Sequence, residues 1–273
     1  MYVQHWNLDS PPFDNNIDPA FFFRSRTHHA AVLKLRYLLE SNKGVGLLCG
    51  DTGTGKTTVA RLLIGELDAR FTPVVHVHYP FMNATELVAY LAAELGGDEA
   101  ALQGDTRLDF TLRQFESRLT YHSQSGRHPL ILIDEAHLIE DQQVLQAIQL
   151  LLNYRHDAPF TVLLVGQTSL LSRVSRLTEL DERIGVRSLI LPLSREETAD
   201  YLTHRLAVAG VTATVFEPAA VDEIHDLSGG VPRRINRIAD LSLLVGYADG
   251  LTALTGNEVA TVADEIGLAI AES

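Results

Sequence analysis

The segment from Leu47 to Leu63, LLCGDTGTGKTTVARLL, constrains the fold more than any other part of the chain. An apolar run precedes a glycine-rich loop, and a helical pattern of apolar residues follows it, which predicts a buried strand, a turn and a helix. The loop from Gly50 to Thr57 fits the pattern G-x-x-x-x-G-K-[ST], which binds phosphate groups. The alternative is a glycine and threonine turn that contains a lysine by chance, but the flanking strand and helix favour the phosphate loop.

The residue types in this loop suit the binding of a nucleoside triphosphate. Glycines allow backbone angles and close approach that a side chain would block, so the freed N–H groups can form a nest for an anion. Lys56 supplies a positive charge for the β- and γ-phosphates, and the hydroxyl of Thr57 can coordinate Mg²⁺. We therefore expect ATP and Mg²⁺ as cofactors. The residues expected to contact the nucleotide are Gly50, Asp51, Thr52, Gly53, Thr54, Gly55, Lys56, Thr57 and Thr58.

The stretch LILIDEAH, from Leu130 to His137, places two consecutive carboxylates after an apolar run. Consecutive side chains at a strand end point to different sides, so one carboxylate can hold the metal while the other faces the attacking water. We assign Asp134 to Mg²⁺ and Glu135 to the general base. The alternative is a pair of surface acids. The sequence DEAH at residues 134–137 also occurs in helicases. A helicase would need a second, similar α/β domain, for which the last 80 residues (273 − 193) are too few.

Two further side chains are candidates for contact with the γ-phosphate. Gln167 follows the apolar stretch FTVLLVG and is expected beside the strand that ends in Asp134, where it would act as a sensor. A polar residue that only starts a loop is the alternative. Arg183 precedes the presumed last strand and can reach the γ-phosphate of a neighbouring subunit as a catalytic arginine. The alternative candidates for this catalytic arginine are Arg173, Arg176 and Arg187.

The stretch SGGVPRRINRIADL, residues 228–241, places arginines in the first turns of a predicted helix. Cations at a helix amino end oppose the helix dipole, so this location suggests an anionic ligand. Arg233 and Arg237 share a face of the helix, whereas Arg234 points elsewhere. A solvated basic face or a nucleic-acid contact is the alternative.

Strand and helix patterns alternate up to residue 193, which indicates a parallel α/β sheet with right-handed crossovers. The expected strands are 45–49, 74–78, 130–134, 162–166 and 187–191. The expected helices between them are 84–95, 108–121, 142–153 and 169–177, and residues 96–106 are expected to form a surface loop. Later helices are predicted from capping boxes at Ser194 and Thr255 and from Pro218 and Pro232. The expected division is an aromatic and helical entry packed on the core (1–43), an α/β nucleotide-binding core (44–193) and a small helical domain (194–273).

Composition limits the location and the partners. The formal net charge of −13 argues against a protein that coats nucleic acid, although a local basic patch remains compatible with it. The single cysteine, Cys49, excludes an intramolecular disulfide and fits a reducing compartment. The amino terminus lacks a signal-peptide pattern, and no apolar stretch approaches the roughly 18 residues of a membrane span. We therefore expect a cytoplasmic protein.

The motifs together resemble those of the AAA+ ATPases of the ExeA (general secretion pathway protein A) type, which are related to transposition and origin-recognition ATPases. The resemblance covers nearly the whole chain. It rests on HWNLDSPPFDNNIDPAFFFRSRTHHAAV, CGDTGTGKTT, LILIDEAH, LLVGQ, PLSREETADYLTHRL and SGGVPRRIN, in that order. Only the phosphate loop is common to many folds, so the combination is specific.

This resemblance implies a P-loop sheet with strand order 5-1-4-3-2 and a carboxy-terminal helical lid. It makes Gln167 the first sensor and Arg233, three residues after Gly230, the second sensor. It also suggests that the amino-terminal segment lines the adenine pocket. Members of the secretion type continue into a membrane span and a peptidoglycan-binding region, whereas this sequence ends at Ser273, so no role at the cell wall is carried over.

Two functions remain open at this point. The first is an ATP-hydrolysing switch that forms a homo-oligomer and assembles a secretion or envelope machine, with an unknown client protein. The second is a DNA-associated ATPase regulator of the transposition or replication type. The negative net charge favours the secretion switch, and the arginines at residues 233–237 keep the DNA-associated regulator open. A nucleotide-gated scaffold that barely hydrolyses ATP is a third option.

Overall fold

The structure is a computed structural model that describes residues 1–14, 18–96 and 107–262. The chain forms two compact units. The helical unit comprises Met1–Arg26, Gly53–Thr58 and Leu191–Ser273, within the described residues. The sheet unit comprises Thr27–Thr52 and Val59–Ile190.

A parallel five-stranded sheet lies at the centre of the sheet unit. Its strands are β1 (Val45–Gly50), β2 (Val74–Val77), β3 (Leu130–Ile133), β4 (Thr161–Gly166) and β5 (Ile184–Ile190). Their order is β2-β3-β4-β1-β5, and all neighbouring pairs are parallel. This confirms the expected order 5-1-4-3-2. The carboxyl ends of β1, β3 and β4 therefore meet at one edge of the sheet.

The central strands are apolar because they are covered on both faces. Every residue of β1, β3 and β4 is buried. β5 differs, since it lies at the edge and its residues alternate between buried and exposed. This alternation explains why the sequence predicted only the second half of β5 as a strand.

Helices surround this sheet at nearly the expected positions. In chain order they are α2 (Arg26–Glu40), α3 (Lys56–Gly65), α4 (Ala84–Gly96), α5 (Leu108–Gln124), α6 (Gln142–Leu151), α7 (Ser169–Ser175) and α8 (Thr178–Asp181). A short α1 (Tyr2–His5) precedes them in the chain and belongs to the helical unit. Residues 152–156 form a 3₁₀ turn rather than the end of α6. The helix predicted at 169–177 ends at Ser175, and the short α8 that follows was not predicted. Most of the loop predicted at 96–106 lies outside the described residues.

The helical unit follows local signals that are visible in the sequence. Its helices are α9 (Arg195–Val208), α10 (Pro218–Ser228) and α11 (Pro232–Ala248). Ser194 and Glu197 form the predicted capping box before α9. At the second predicted capping box, Thr255 donates to the Glu258 carboxylate through its backbone N–H, at 2.7 Å, and through its hydroxyl, at 2.6 Å.

The amino-terminal segment supplies part of the core of the helical unit. Trp6 and Phe13 are buried in one apolar cluster with residues of α9, α10 and α11. The indole N–H of Trp6 donates to the carbonyl of Leu243 at 2.9 Å. Arg205 donates through Nη2 to the carbonyl of Asp14 at 2.7 Å, and its guanidinium lies 4.7 Å from the ring centre of Phe21. Residues 1–26 therefore belong to the helical unit, whereas nearly all of α2 belongs to the sheet unit.

Within the described residues, the structure holds no helix that is both long enough and apolar enough to cross a membrane.

Candidate nucleotide-binding site

The phosphate loop connects the carboxyl end of β1 to the amino end of α3. Gly53 and Gly55 adopt positive φ angles of 81° and 94°, which L side chains rarely tolerate. Thr54 is fully buried and Lys56 is 7% exposed, so water is largely excluded around the lysine. A loop of this shape followed by a helix amino end suits an anion, because backbone N–H groups and the helix dipole both favour negative charge. These residues fit the phosphates of ATP.

Within the helical unit, the amino end of α11 lies against the middle of the phosphate loop. The backbone N–H of Arg233 donates to the carbonyl of Gly53 at 3.3 Å. A Cβ on Gly53 would lie 2.9 Å from Cβ of Arg233 and 3.1 Å from Cγ1 of Val231. A glycine is therefore required here both by the backbone angle and by this neighbour. Arg234 and Arg237 are exposed on the same helix.

The two carboxylates after β3 lie in different environments. The backbone N–H of Asp134 donates to the carbonyl of Val77 at 3.0 Å, which extends the β2–β3 pairing by one residue. Glu135 then adopts a left-handed conformation with φ of 50°, and its N–H donates to Oδ1 of Asp134 at 2.9 Å. The side chain of Asp134 is 11% exposed and that of Glu135 is 49% exposed. This turn gives two adjacent acids separate surroundings, as the roles predicted for them require.

Three histidines that the sequence analysis did not single out lie beside these carboxylates. Nδ1 of His137 is 3.2 Å from Oε2 of Glu135, and Nε2 of His76 is 3.9 Å from Oδ2 of Asp134. The rings of His76 and His78 stack with their centres 3.6 Å apart. Burial lowers the pKa of the His76 imidazole and the neighbouring His78 lowers it further, while Asp134 opposes both effects. A lowered pKa favours the neutral imidazole of His76 beside the buried carboxylate of Asp134.

Gln167 follows the last residue of β4, the strand that lies between β1 and β3. Cys49 of β1 pairs with Gly166 of β4, so β4 ends beside the start of the phosphate loop. The hydroxyl of the next residue, Thr168, donates to Oδ1 of Asp51 at 3.5 Å. Gln167 therefore lies at the sheet edge that also carries the phosphate loop and Asp134.

The four candidate arginines before and within β5 have different partners. Arg173 donates to the carbonyl of Ile139, and Arg187 forms an ion pair with Asp181 at 2.7 Å. Arg176 lines a surface cavity of about 420 Å³ between α6 and α8. Among the residues that the structure describes, Arg183 donates to two neutral acceptors, the carbonyl of Gln149 at 3.1 Å and Oδ1 of Asn153 at 2.9 Å.

Comparisons with known proteins agree with this arrangement. A family model described as AAA domain matches residues 39–174. General secretion pathway protein A of Aeromonas hydrophila is 33% identical over 271 residues, which are 97% of this chain and 48% of that protein. Residues 39–174 therefore belong to the AAA domain family. The chain spans about half the length of the Aeromonas relative.

Solved structures of AAA+ proteins share its fold. The ORC2 protein of Aeropyrum pernix, in ADPNP and ADP complexes, superposes with a TM-score of 0.69 at 20% identity over 94% of this chain and 72% of that one. Cdc6p of Pyrobaculum aerophilum gives a TM-score of 0.73 at 16% identity over 93% and 70%. These likenesses confirm the predicted AAA+ fold, and the Aeromonas relative confirms the resemblance drawn from the motifs.

Proposed function

We propose that this AAA+ protein hydrolyses ATP with Mg²⁺ and acts as an oligomeric switch. One observation carries the proposal: the buried Asp134 and the exposed Glu135 follow a strand whose carboxyl end lies at the same sheet edge as the phosphate loop. A metal ligand and a base in separate environments are what hydrolysis requires beyond nucleotide binding.

Each residue has a distinct task in this reaction. The loop N–H groups and Lys56 bind the β- and γ-phosphates. Thr57 and Asp134 would hold Mg²⁺, which neutralises charge on the phosphate oxygens when bound. Glu135 accepts a proton from water as the water oxygen bonds to the γ-phosphorus. The bond from that phosphorus to the bridging oxygen breaks, its electron pair stays on ADP, and inorganic phosphate leaves. Gln167 orients the water and the γ-phosphate.

The proposed site is completed by a second copy of the chain. Arg183 lies at the amino end of β5, whereas the phosphate loop follows the carboxyl end of β1, and β1 and β5 are parallel neighbours. Arg183 and its own subunit's phosphate loop therefore lie at opposite edges of the sheet. A head-to-tail contact would bring Arg183 to the γ-phosphate bound by a neighbour, and contacts of this kind form rings or filaments.

The process served by this switch is proposed from the Aeromonas relative. That protein is named for the general secretion pathway, and it matches nearly all of this chain. We therefore favour the assembly of a secretion or envelope machine, with a protein client. The second candidate, a DNA-associated regulator, is supported by the exposed Arg233, Arg234 and Arg237 on α11.

An ATPase assay with and without duplex DNA, across a salt series, tests these alternatives. The favoured role predicts hydrolysis that requires Mg²⁺ and does not respond to DNA. Stimulation by DNA that fades as salt increases would favour the regulator, because phosphate contacts are salt-dependent. ATP binding without turnover would contradict the ATPase proposal and support a scaffold.

A further inference from the structure

Arg183 is held in place by neutral groups. Its Nη1 donates both to the backbone carbonyl of Gln149, at the end of α6, and to the side-chain amide oxygen of Asn153 in the following 3₁₀ turn. Neutral acceptors fix the direction of a guanidinium without cancelling its charge. Within the described part of the chain, Arg183 forms no ion pair.

Two acids lie close to Arg183 along the chain, and each has another partner. Glu179 lies in α8, four positions before Arg183, and its Oε2 accepts from the side-chain amide of Gln149. Asp181, at the end of α8, forms an ion pair with Arg187. Gln149 thus contacts Glu179 through its side chain and Arg183 through its backbone carbonyl.

The remaining edge of the guanidinium suits a phosphate. An arginine has five N–H donors in a planar fork. The two on Nη1 are used by Gln149 and Asn153. The Nε and Nη2 groups, which form no hydrogen bond with any residue that the structure describes, make a side-on pair of donors that matches two phosphate oxygens.

We propose that Gln149 and Asn153 are positioning residues for Arg183 in ATP hydrolysis by a neighbouring subunit. The amide groups hold the guanidinium with its Nε and Nη2 edge outward, and Gln149 also keeps Glu179 from neutralising it. This inference rests on the proposed function, in which Arg183 stabilises charge on the γ-phosphate in trans.

The test compares kcat and KM for ATP in the full chain. Asn153→Asp keeps an acceptor oxygen but adds a carboxylate that pairs with Arg183, so kcat should fall on the order of 10²-fold, the cost of misplacing a catalytic group. KM should stay unchanged, because the nucleotide pocket of each subunit is intact. Asn257→Asp, the same change on an exposed asparagine of the helical unit, should leave both values unchanged.

A rescue experiment isolates the role of Gln149. Gln149→Leu releases Glu179 to pair with Arg183, and kcat should fall several-fold. Adding Glu179→Gln to that variant should restore most of the activity, because the released side chain no longer carries charge. A packing defect at the buried Gln149 would not be repaired by a change at Glu179.

A double-mutant comparison separates the possible failures. Arg183→Ala should lose about 10³-fold or more of kcat, and adding Asn153→Asp should cost nothing further. Additive losses of kcat in the double variant would overturn the positioning role while leaving the ATPase proposal intact. The same holds if Asn153→Asp keeps its full kcat while Arg183→Ala has a low kcat. Full activity of Arg183→Ala would overturn the role of the arginine as well. Absence of turnover in the unmodified protein would overturn the proposed function itself.

Discussion

At the scale of single residues, one backbone turn gives two adjacent acids with the same chemistry different surroundings. Asp134 continues the hydrogen bonding of the sheet and is buried, while the left-handed Glu135 next to it is half exposed. A carboxylate in a dry environment is stabilised by a cation, whereas an exposed one is available to take a proton.

Glu135→Gln should therefore retain ATP and stop turnover. An amide has the size of the carboxylate but cannot accept the proton, so we expect kcat to fall about 10²–10⁴-fold with little change in affinity for a fluorescent ATP analogue. Glu140→Gln, at an exposed acid a few positions away, is the matched control. Turnover within a few-fold of the unmodified protein would mean that another residue activates the water.

The environment of His128 indicates that the free energy of unfolding falls in acid. Burial, together with the neighbouring charges of Arg155 and Arg70, lowers the pKa of the His128 imidazole to about 4. Its Nε2 lies 2.8 Å from the hydroxyl oxygen of Thr161. Below the ordinary pKa of about 6.5 the unfolded chain takes up a proton that the folded chain refuses, so stability falls as the pH drops towards 4.

His128→Gln keeps a polar group near Thr161 but cannot titrate. Between pH 7 and pH 4, the Tm of the variant should therefore fall less than the Tm of the unmodified protein. Parallel Tm profiles over this range, recorded by circular dichroism, check the expectation. Identical slopes for the two proteins would show that His128 does not contribute to the acid sensitivity.

The sequence could place Lys56 in a loop after one strand and the two acids at the end of another, because strand, loop and motif spacing are local. It could not identify His76 or the amide partners of Arg183, because these contacts join distant segments. The alternating VHVH pattern around His76 is typical of many strands, and Gln149 precedes Arg183 by 34 positions. His137 stood within the quoted acidic motif, but nothing in its spacing showed that it would lie against Glu135.

At the scale of elements, helices with explicit start signals were predicted best. Ser194 and Glu197 mark the start of α9, and Pro218 and Pro232 mark the starts of α10 and α11. Such starts can be predicted because helix capping depends on residues within one turn of each other. β5 was predicted less completely, since its exposed residues depend on its place at the sheet edge. The domain bounds 1–43, 44–193 and 194–273 stay a prediction.

Gly53→Ala tests the packing of the phosphate loop against α11. The added Cβ would lie 2.9 Å from Cβ of Arg233 at a residue with φ of 81°, so the loop must distort. We expect weaker binding of a fluorescent ATP analogue and a lower Tm. Gly65→Ala is the control, because a Cβ at this helical position meets no atom within 4 Å. Equal effects of the two variants would contradict the contact described here.

At the scale of the whole molecule, the family resemblance carried by the ordered motifs predicted the AAA+ fold and the strand order. Three of those motifs lie at the carboxyl ends of β1, β3 and β4. The amino-terminal segment shows the limit of such reasoning. Its aromatic residues indicate that it packs, but the sequence does not say on which surface, and the structure places Trp6 and Phe13 in the core of the helical unit. The contacts between subunits are harder still to predict from the sequence, because they depend on a second chain.

The central claim is that a nucleotide site in one subunit is completed by Arg183 from another. Lys56→Ala should lose ATP binding but keep its arginine, while Arg183→Ala should keep its pocket but lose the arginine. Each variant alone should be nearly inactive, since such arginines contribute on the order of 10³–10⁵ in rate. In an equal mixture, about a quarter of randomly formed junctions would join an intact pocket to an intact arginine.

The most direct measurement is therefore the ATPase activity of the two variants, alone and mixed in several ratios, with assembly confirmed by light scattering. Activity should reappear on mixing and be greatest near equal amounts. Assembled mixtures that stay as inactive as the separate variants at every ratio would contradict the central claim, and would direct attention to Arg173, Arg176 or Arg187.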